Sequence, residues 1–466
     1  MPPSLGPRLR TLRRERGMSQ AALAARLGIS PSYLNMIEAG KRALSAEILV
    51  AAASELDVDL RELGGERVER LAQALVEVFA DPVLAEVSLT AAEVHELAAR
   101  EPILAGALVR VHQALREGRE TQGALATQVV EGEVLSRLPS EEVTEFIERH
   151  RNHHAGLEAA AESFVREAAL DPRDLFPGLV RWVEARGVRV RIETPPARGV
   201  HARYDRERRE LHISEWLPTR SRNFELARMA GRLVVSDTVA SLADDPSLST
   251  PTARALGRTA LLSYFSAAVL MPYASFHEAC ESLRYDVELV GRRFRVGFEQ
   301  ACHRMTTLSR PGLEGVPFHL VRIDVAGNIS KRFSGSGIHF ARFSGVCPRW
   351  NVFSAFAMAG RIRTQVSRMP DGQDYLCIAR TVQEDSQGWG QEGRLHAVGL
   401  GTNVAHARRL VYGDGVALAD VHNIIPIGVT CRLCERADCE QRAVPSVGAP
   451  LNVDDAERRS SPYGSR

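Results

Sequence analysis

Between positions 187 and 270 the chain changes its period, and that change limits the possible folds more than any other stretch. Gly187-Val188-Arg189-Val190-Arg191-Ile192 alternates apolar and polar residues, as a strand does. Arg203-Tyr204-Asp205 and Leu211-His212-Ile213-Ser214 read as two more strands around a charged turn, ended by Leu217-Pro218. From Arg222 to Val235 and from Ala253 to Leu270 the apolar residues recur at helical spacing. Strands followed by long helices within one segment imply an α+β domain, with helices covering a small sheet.

The first 63 residues have a different organisation. Leu5, Leu9 and Leu12 mark one helix face. Ser19 is a good N-cap for a second helix carrying Leu23, Ala24 and Leu27, and Gly28 closes it. Ser30 caps a third helix with Pro31 in its first turn, and Gly40 ends it. A helix-turn-helix needs this layout, because the amino-terminal residues of the last helix must face the major groove. Residues 1–42 carry a net charge of +6, against +1 for the whole chain, which fits contact with nucleic acid.

From 64 to 164 the chain is rich in Ala, Leu, Glu and Arg with apolar residues at helical spacing, and Val143–Phe164 reads as one long helix. His150, His153 and His154 on it read as a polar face, since no acid or thiol stands in register. Further on, Phe318–Asp324 and Gly327–Phe333 form a strand–turn–strand pair, and Tyr375–Ala379 and Leu395–Leu400 are strands. Ala355–Ser367 reads as strand or short helix. The spacing C-x2-C-x4-C brings the thiols of Cys431, Cys434 and Cys439 near one point, and Cys347 is available as a fourth. Four thiolates suit tetrahedral Zn2+ or an iron–sulfur cluster. Cys280, Cys302 and Cys377 read as core thiols. No apolar run approaches the ~20 residues of a membrane span, so a cytoplasmic location without a membrane partner is expected.

Three resemblances sharpen this reading. MSQAALAARLGISPSYLNMIEAGKR resembles the XRE family of helix-turn-helix domains. The resemblance implies that Gln20, Ser32, Tyr33 and Asn35 face the groove of double-stranded operator DNA. Lys41 and Arg42 would grip phosphates, and the protein would be a homodimer. Arg222, Phe224 and Ala227 match the frame R-x-F-x-x-A-H-E-x-x-H of the ImmA/IrrE-type metallopeptidases. The two ligand positions hold Arg228 and Arg232, the base position Met229, and the later Glu position Ala268. A guanidinium cannot ligate zinc, so no catalytic residue and no enzyme activity are expected. An arginine-lined cleft in that scaffold suggests an anion site, with Arg203, Tyr204, Arg222, Tyr264 and Phe265 as its candidate residues. Met271 would join its apolar end, and a pocket elsewhere would fall near Arg332 and Arg342.

Together with G-V-C-P-x-W-N and C-R-x-C-x-R-x-D-C-x-Q-R-A, these segments make the whole chain similar to the short-chain fatty acyl-CoA regulators. The resemblance implies a transcription regulator of short-chain fatty acid metabolism, with acyl-CoA, often propionyl-CoA, as effector ligand. It also implies a [4Fe-4S] cluster in some members. The expected fold class is multidomain. It comprises an all-α helix-turn-helix domain (1–63), a helical linker or dimerisation region (64–164), an α+β degenerate metallopeptidase-like acyl-CoA-sensing domain (165–290), an α+β C-terminal domain with a cysteine metal or cluster site (291–450), and a disordered tail (451–466). One alternative is a redox sensor switched by the cysteines. The other is a metallopeptidase, opposed by the missing ligands.

Overall fold

The computed structural model describes the chain except residues 1–4, 43–44, 57–65, 82–83, 85–86, 88, 126–137, 196–198, 341–346, 384–388, 391–392, 419, 432–433, 435, 437–438, 447–455, 457, 459, 462 and 464–466. The chain forms two compact units, Met1–Arg137 with Ser446–Pro450, and Leu138–Pro445 with Leu451–Arg466. Among the described residues no single helix is long and apolar enough to cross a membrane.

The first unit begins with α1 (Leu5–Glu15), α2 (Gln20–Arg26), α3 (Pro31–Glu38) and α4 (Ala46–Leu56). The Ser19 and Ser30 hydroxyls accept the backbone N–H of Ala22 and Tyr33, each at 3.1 Å. Such caps contribute about 1 kcal/mol each. Gly28 takes φ +66° in the turn between α2 and α3, a conformation that favours glycine. α1 and α3 approach so closely that a Cβ on Gly6 would overlap the Ile37 carbonyl oxygen. Leu9, Leu12, Leu23, Leu34, Ile37 and Leu56 are buried between the four helices. The helices Glu66–Phe79, Ala91–Arg100 and Pro102–Leu125 follow. They share a separate core built on Val68, Leu75, Val78, Val94 and Ala98. Thr90 and Glu93 form a reciprocal cap at the start of the second of them.

In the second unit, β1 (Arg189–Glu193) runs parallel to β3 (Glu210–Ser214), and β2 (Ala202–Asp205) pairs antiparallel on the other side of β3. The helices Thr219–Val234 and Pro251–Leu270 follow, as the apolar spacing requires. They cross closely at Gly231, where a Cβ would come within 2.8 Å of the Phe265 ring. A six-stranded sheet comes after. Its strands are β4 (His319–Asp324), β5 (Ile329–Ser334), β6 (Arg363–Arg368), β7 (Asp374–Gln383), β8 (Leu395–Asn403) and β9 (Ile424–Pro426), in the order β5-β4-β8-β7-β6-β9. All pairs are antiparallel except β6 with β9.

Both faces of this sheet are buried. Leu320, Leu376, Ile378, Val398 and Leu400 join the same core as Phe146 and Phe265 of the helical half. Val321, Ile323, Cys377, Ala379 and Ala397 pack on the other face with Phe340 and Trp350. The two halves therefore share one core. The expected boundary at 290/291 falls inside the helix Val287–Phe294, and that at 164/165 inside the helix Ala155–Glu167.

The single helix expected over Val143–Phe164 is instead two, Pro139–Arg149 and Ala155–Glu167. Arg151 and Asn152 between them both have φ +50°. Partners distant in sequence hold the break. Asn152 donates to Thr306 Oγ1 at 2.9 Å, Ser309 donates to the Arg151 carbonyl at 2.8 Å, and the His154 N–H meets the Tyr264 hydroxyl at 3.3 Å. His150, His153 and His154 thus sit at the break rather than along one polar face. Ala355–Ser367 divides into a short 3-10 turn, Phe356–Met358, and the start of β6. Of the expected tail, 451–455 lies outside the described residues, whereas Ser461 is buried and donates to the Arg442 carbonyl at 2.8 Å.

Candidate functional site

The DNA-reading candidates gather on the first unit's α2 and α3. Ser32, Asn35, Lys41 and Arg42 are exposed, and Gln20 and Tyr33 are half-buried. Gln20 Nε2 donates to Glu38 at 3.0 Å and lies 3.4 Å from Asn35 Oδ1. Arg42 stands over the Tyr33 ring at 5.3 Å. Arg13 is a scaffold residue. Its guanidinium grips the buried Glu38 carboxylate at 2.7 and 2.9 Å, and Glu38 in turn orients Gln20. The arrangement presents amide and hydroxyl groups at the start of a helix, with cations beside them, as major-groove binding needs.

In the second unit the former metal position has been filled. Met229 and Ala268 are buried in the helix crossing. Arg228 lies 3.7 Å from Glu225. Burial pushes the Glu225 carboxyl above its ordinary value. Burial, then the charges of Arg228 and Arg206, pull Arg232 below its own. Among the described residues no three His, Cys, Asp or Glu side chains are grouped to hold a metal ion.

Beside this position lies a cavity of about 1590 Å³. One wall comes from the helices Pro139–Arg149, Pro251–Leu270 and Phe298–Met305, and the other from β5, β7 and the start of β8. Of the five residues first expected in the anion site, only Tyr264 lines it. Arg203 is exposed on β2 opposite His212, and Tyr204 packs against the core. Arg222 donates to the Glu215 carbonyl at 2.6 Å. Phe265 and Met271 are fully buried. Arg332 does line the cavity, whereas Arg342 lies outside the described residues.

A fully buried ion pair forms part of the cavity wall. Arg304 donates to both oxygens of Glu158 at 2.6 and 2.9 Å, to the Met271 carbonyl at 3.0 Å and to Thr307 at 3.0 Å. The Tyr264 hydroxyl donates to the same carboxylate at 2.5 Å. Burial alone would raise Glu158, but the charge and hydrogen bonds of Arg304 hold it below its ordinary value. Nearer β5, Lys331 and Arg322 meet Glu299 at 2.9 and 2.8 Å, and Arg332 pairs with Glu141. Burial opposes the charge of Glu299, yet His303 at 3.6 Å and the charges of Lys331 and Arg322 hold it well below the usual carboxylate range. Arg220 and Arg394 also line the cavity, both are exposed, and neither has an acidic partner among the described residues. Guanidinium groups without internal partners at the edge of a large cavity suit a phosphorylated ligand.

The cysteine loop lies against the other face of the sheet. Cys347 and Cys434 are buried. A Cβ on Gly428 would come within 2.8 Å of Cys434 Sγ. Arg442 donates to the carbonyls of Cys431 and Cys434, both at 2.8 Å, and to that of Arg436. Burial pushes the Cys347 thiol up, and Cys431 and Cys434 add to the shift. The expected metal set of Cys347, Cys431, Cys434 and Cys439, all among the described residues, is not, however, grouped to hold a metal ion.

Comparison with known proteins bears on all three places. Family models match residues 9–63 (helix-turn-helix), 183–306 (IrrE N-terminal-like domain) and 307–463 (short-chain fatty acyl coenzyme A regulator, C-terminal). The HTH-type transcriptional regulator PrpR of Mycobacterium tuberculosis is 39% identical over 465 residues, covering 99% of this chain and 95% of the relative. The chain belongs to the short-chain fatty acyl coenzyme A regulator family. The HTH-type transcriptional regulator RamB of the same organism is 39% identical over 468 residues, 98% of each chain. A propionyl-CoA carboxylase regulator of Cereibacter sphaeroides is 36% identical over 459 residues, again 98% of each chain. A solved Mycobacterium tuberculosis transcriptional regulator superposes with a TM-score of 0.67 at 41% identity, covering 70% of this chain and 100% of that one.

This member of the family is accordingly a helix-turn-helix transcriptional regulator of the PrpR and RamB type. Sequence reasoning missed Arg220, Arg304, Arg380 and Arg394 as cavity residues. Arg380 and Arg394 lie on either side of a strand connection, and nothing local marks them as cavity residues; Arg380 meets Glu288 and the Phe298 ring only through tertiary packing. Arg304 carries no local signal either, because its helix also holds Glu299, Gln300 and His303 and reads as half-polar.

Proposed function

We propose that this regulator responds to a short-chain acyl-CoA, propionyl-CoA among the candidates, which binds in the 1590 Å³ cavity and alters the operator affinity of the helix-turn-helix module. The observation that carries the reading is a cavity larger than the ~300–1,000 Å³ of most small-molecule pockets. It combines an apolar wall, free guanidinium groups and an internally neutralised buried pair. CoA esters carry a pyrophosphate and a 3′-phosphate, for which Arg220 and Arg394 supply bidentate donors. Phe224, Leu256, Ala260 and Ala267 offer the apolar surface an acyl group and its linker need. The Cereibacter relative is named as a regulator of propionyl-CoA carboxylase, an enzyme whose substrate belongs to the same acyl-CoA class.

This moves the ligand from the residues first expected, Arg203, Tyr204, Arg222 and Phe265, to the space beside them, with Tyr264 retained. The ligand shifts DNA binding only as far as it prefers one state of the protein over the other. As a homodimer, the chain would present two copies of α3 to a two-fold operator. Calorimetry with propionyl-CoA on wild type and an Arg220→Ala/Arg394→Ala variant tests the site. An affinity loss of at least tenfold supports it, and equal affinity opposes it.

A second reading rests on the Arg442-held loop. The thiols of Cys347, Cys431, Cys434 and Cys439 have the donor chemistry for Zn2+ or a [4Fe-4S] cluster but are not grouped for it as described, so binding would have to draw them together, and a cluster there would make the regulator redox-sensitive. Metal analysis and the visible spectrum of anaerobically purified protein separate a cluster, zinc and free thiols. Cys434→Ser would lower the metal content under either metal assignment.

A further inference from the structure

Trp389 is the most exposed large hydrophobic side chain among the described residues, with its whole ring in solvent. The other tryptophans are engaged. Trp350 is buried, Trp182 lies under the Arg186 guanidinium at 3.4 Å, and Trp216 lines the cavity. An indole can bury roughly 150–250 Å² of surface, so one held wholly in water is an unused binding group. Its place in the chain says for what. The next residue, Gly390, has φ +74° and lines the cavity, as do Gly393 and Arg394. Across the opening, Arg394 Nη2 stands 3.8 Å from where a Cβ on Gly199 would be. The rim of the cavity therefore carries a free guanidinium and, next to the lining residue Gly390, a free aromatic face.

A planar π-face next to unpaired guanidinium groups is the combination that binds a nucleotide, the ring stacking on the base and the cations holding its phosphates. We propose that Trp389 is the stacking platform for the purine base of the bound acyl-CoA, with Arg394 and Arg220 on its phosphates. This inference rests on the reading that acyl-CoA occupies the cavity, and it assigns the ligand's direction. The nucleotide lies at the rim. The thioester and acyl group point inward, toward the wall where Arg304 is already neutralised by Glu158 and no free charge repels an apolar chain.

The test uses the full-length protein and two ligands, propionyl-CoA and propionyl-pantetheine, which has the thioester but lacks the nucleotide. Affinities are measured by calorimetry, directly or by competition, for wild type, Trp389→Ala and Trp389→Phe. Stacking strengths for a base on an aromatic side chain correspond to a roughly 5- to 150-fold loss of propionyl-CoA affinity in Trp389→Ala. Trp389→Phe is expected to recover most of it. Propionyl-pantetheine is expected to bind wild type and Trp389→Ala equally, and the thermal midpoint should not move. Equal propionyl-CoA affinity in wild type and Trp389→Ala overturns the assignment while leaving the cavity reading intact. The same loss for both ligands also overturns it, since the nucleotide would then be irrelevant. Trp389→Ala protein that keeps its acyl-CoA affinity and loses operator binding assigns the ring to a DNA-facing surface instead. Wild type that binds no propionyl-CoA ends both readings.

Discussion

Among the described residues each unit has one buried arginine–glutamate pair, and the two are used differently. Arg13–Glu38 joins residues 25 positions apart within the helix-turn-helix module, and Arg13 also reaches the Met18 carbonyl at 2.8 Å. Glu158–Arg304 joins residues 146 positions apart, with side-chain exposures of 1% and 0%, and forms part of a cavity wall. The first pair sets local geometry, since the same carboxylate orients Gln20 beside Asn35. The second ties the broken helix pair to the helix Phe298–Met305 where a ligand would sit. A buried pair costs desolvation and is a poor route to stability, so its value lies in specifying one arrangement. In the helix-turn-helix module that arrangement is the surface carrying Gln20 and Asn35. At the cavity it is a neutral, rigid wall.

The difference predicts unequal sensitivity. Arg304→Met leaves Glu158 buried and unpaired and should cost about 3–5 kcal/mol in the second unit. Urea denaturation checks this, and adding Glu158→Leu should restore part of the loss. If Arg304→Met is neutral, the pair is not the clasp described here.

Acid should affect the same region next. His154 is pulled down to about 4, by burial first and then by the neighbouring charges of His150 and His153, with Glu158 opposing. A histidine kept neutral by folding gives stability that is complete above its unfolded value near 6.5 and is lost as pH falls toward 4. The depressed Glu158 extends the loss to lower pH. The expected loss from His154 is at most about 3 kcal/mol. Melting curves from pH 7.5 to 4.5 should slope accordingly, and His154→Phe should flatten them. An unchanged slope would assign the acid sensitivity elsewhere.

Glu38→Ala should cost less, about 2 kcal/mol, because Arg13 keeps the Met18 carbonyl and partial access to water. Its larger effect should be on operator selectivity, through the loosened Gln20. The smallest effect is expected from Ser30→Ala, about 1 kcal/mol for a lost helix cap. A Ser30→Ala cost well above that of Glu38→Ala would reverse the order argued here.

The same contrast explains what could be read from the sequence. Caps at Ser19 and Ser30, the turn at Gly28 and the leucine spacing are local signals, and all four agree with the helices found. The strands β1 to β5, β7 and β8 were legible from alternation, and the two long helices from their period. The break at His150–His154 was not, because its cause is tertiary, in Thr306, Ser309 and Tyr264. The cavity was equally hidden. Its walls meet only when β5 and β7 pack against helices from the other half of the shared core. Motif matching pointed to the helix crossing where Met229 and Ala268 are buried, and the open space lies beside it.

The central claim is that ligand in this cavity controls DNA binding. The most direct measurement is fluorescence anisotropy of an operator duplex, selected from random sequence by the wild-type protein, titrated at increasing propionyl-CoA. The account predicts that the operator Kd of wild type shifts at saturating ligand. The Arg220→Ala/Arg394→Ala variant should need at least tenfold more ligand for the same shift. An operator Kd that stays constant at saturating propionyl-CoA, or a variant that responds at the same ligand concentration as wild type, would contradict it.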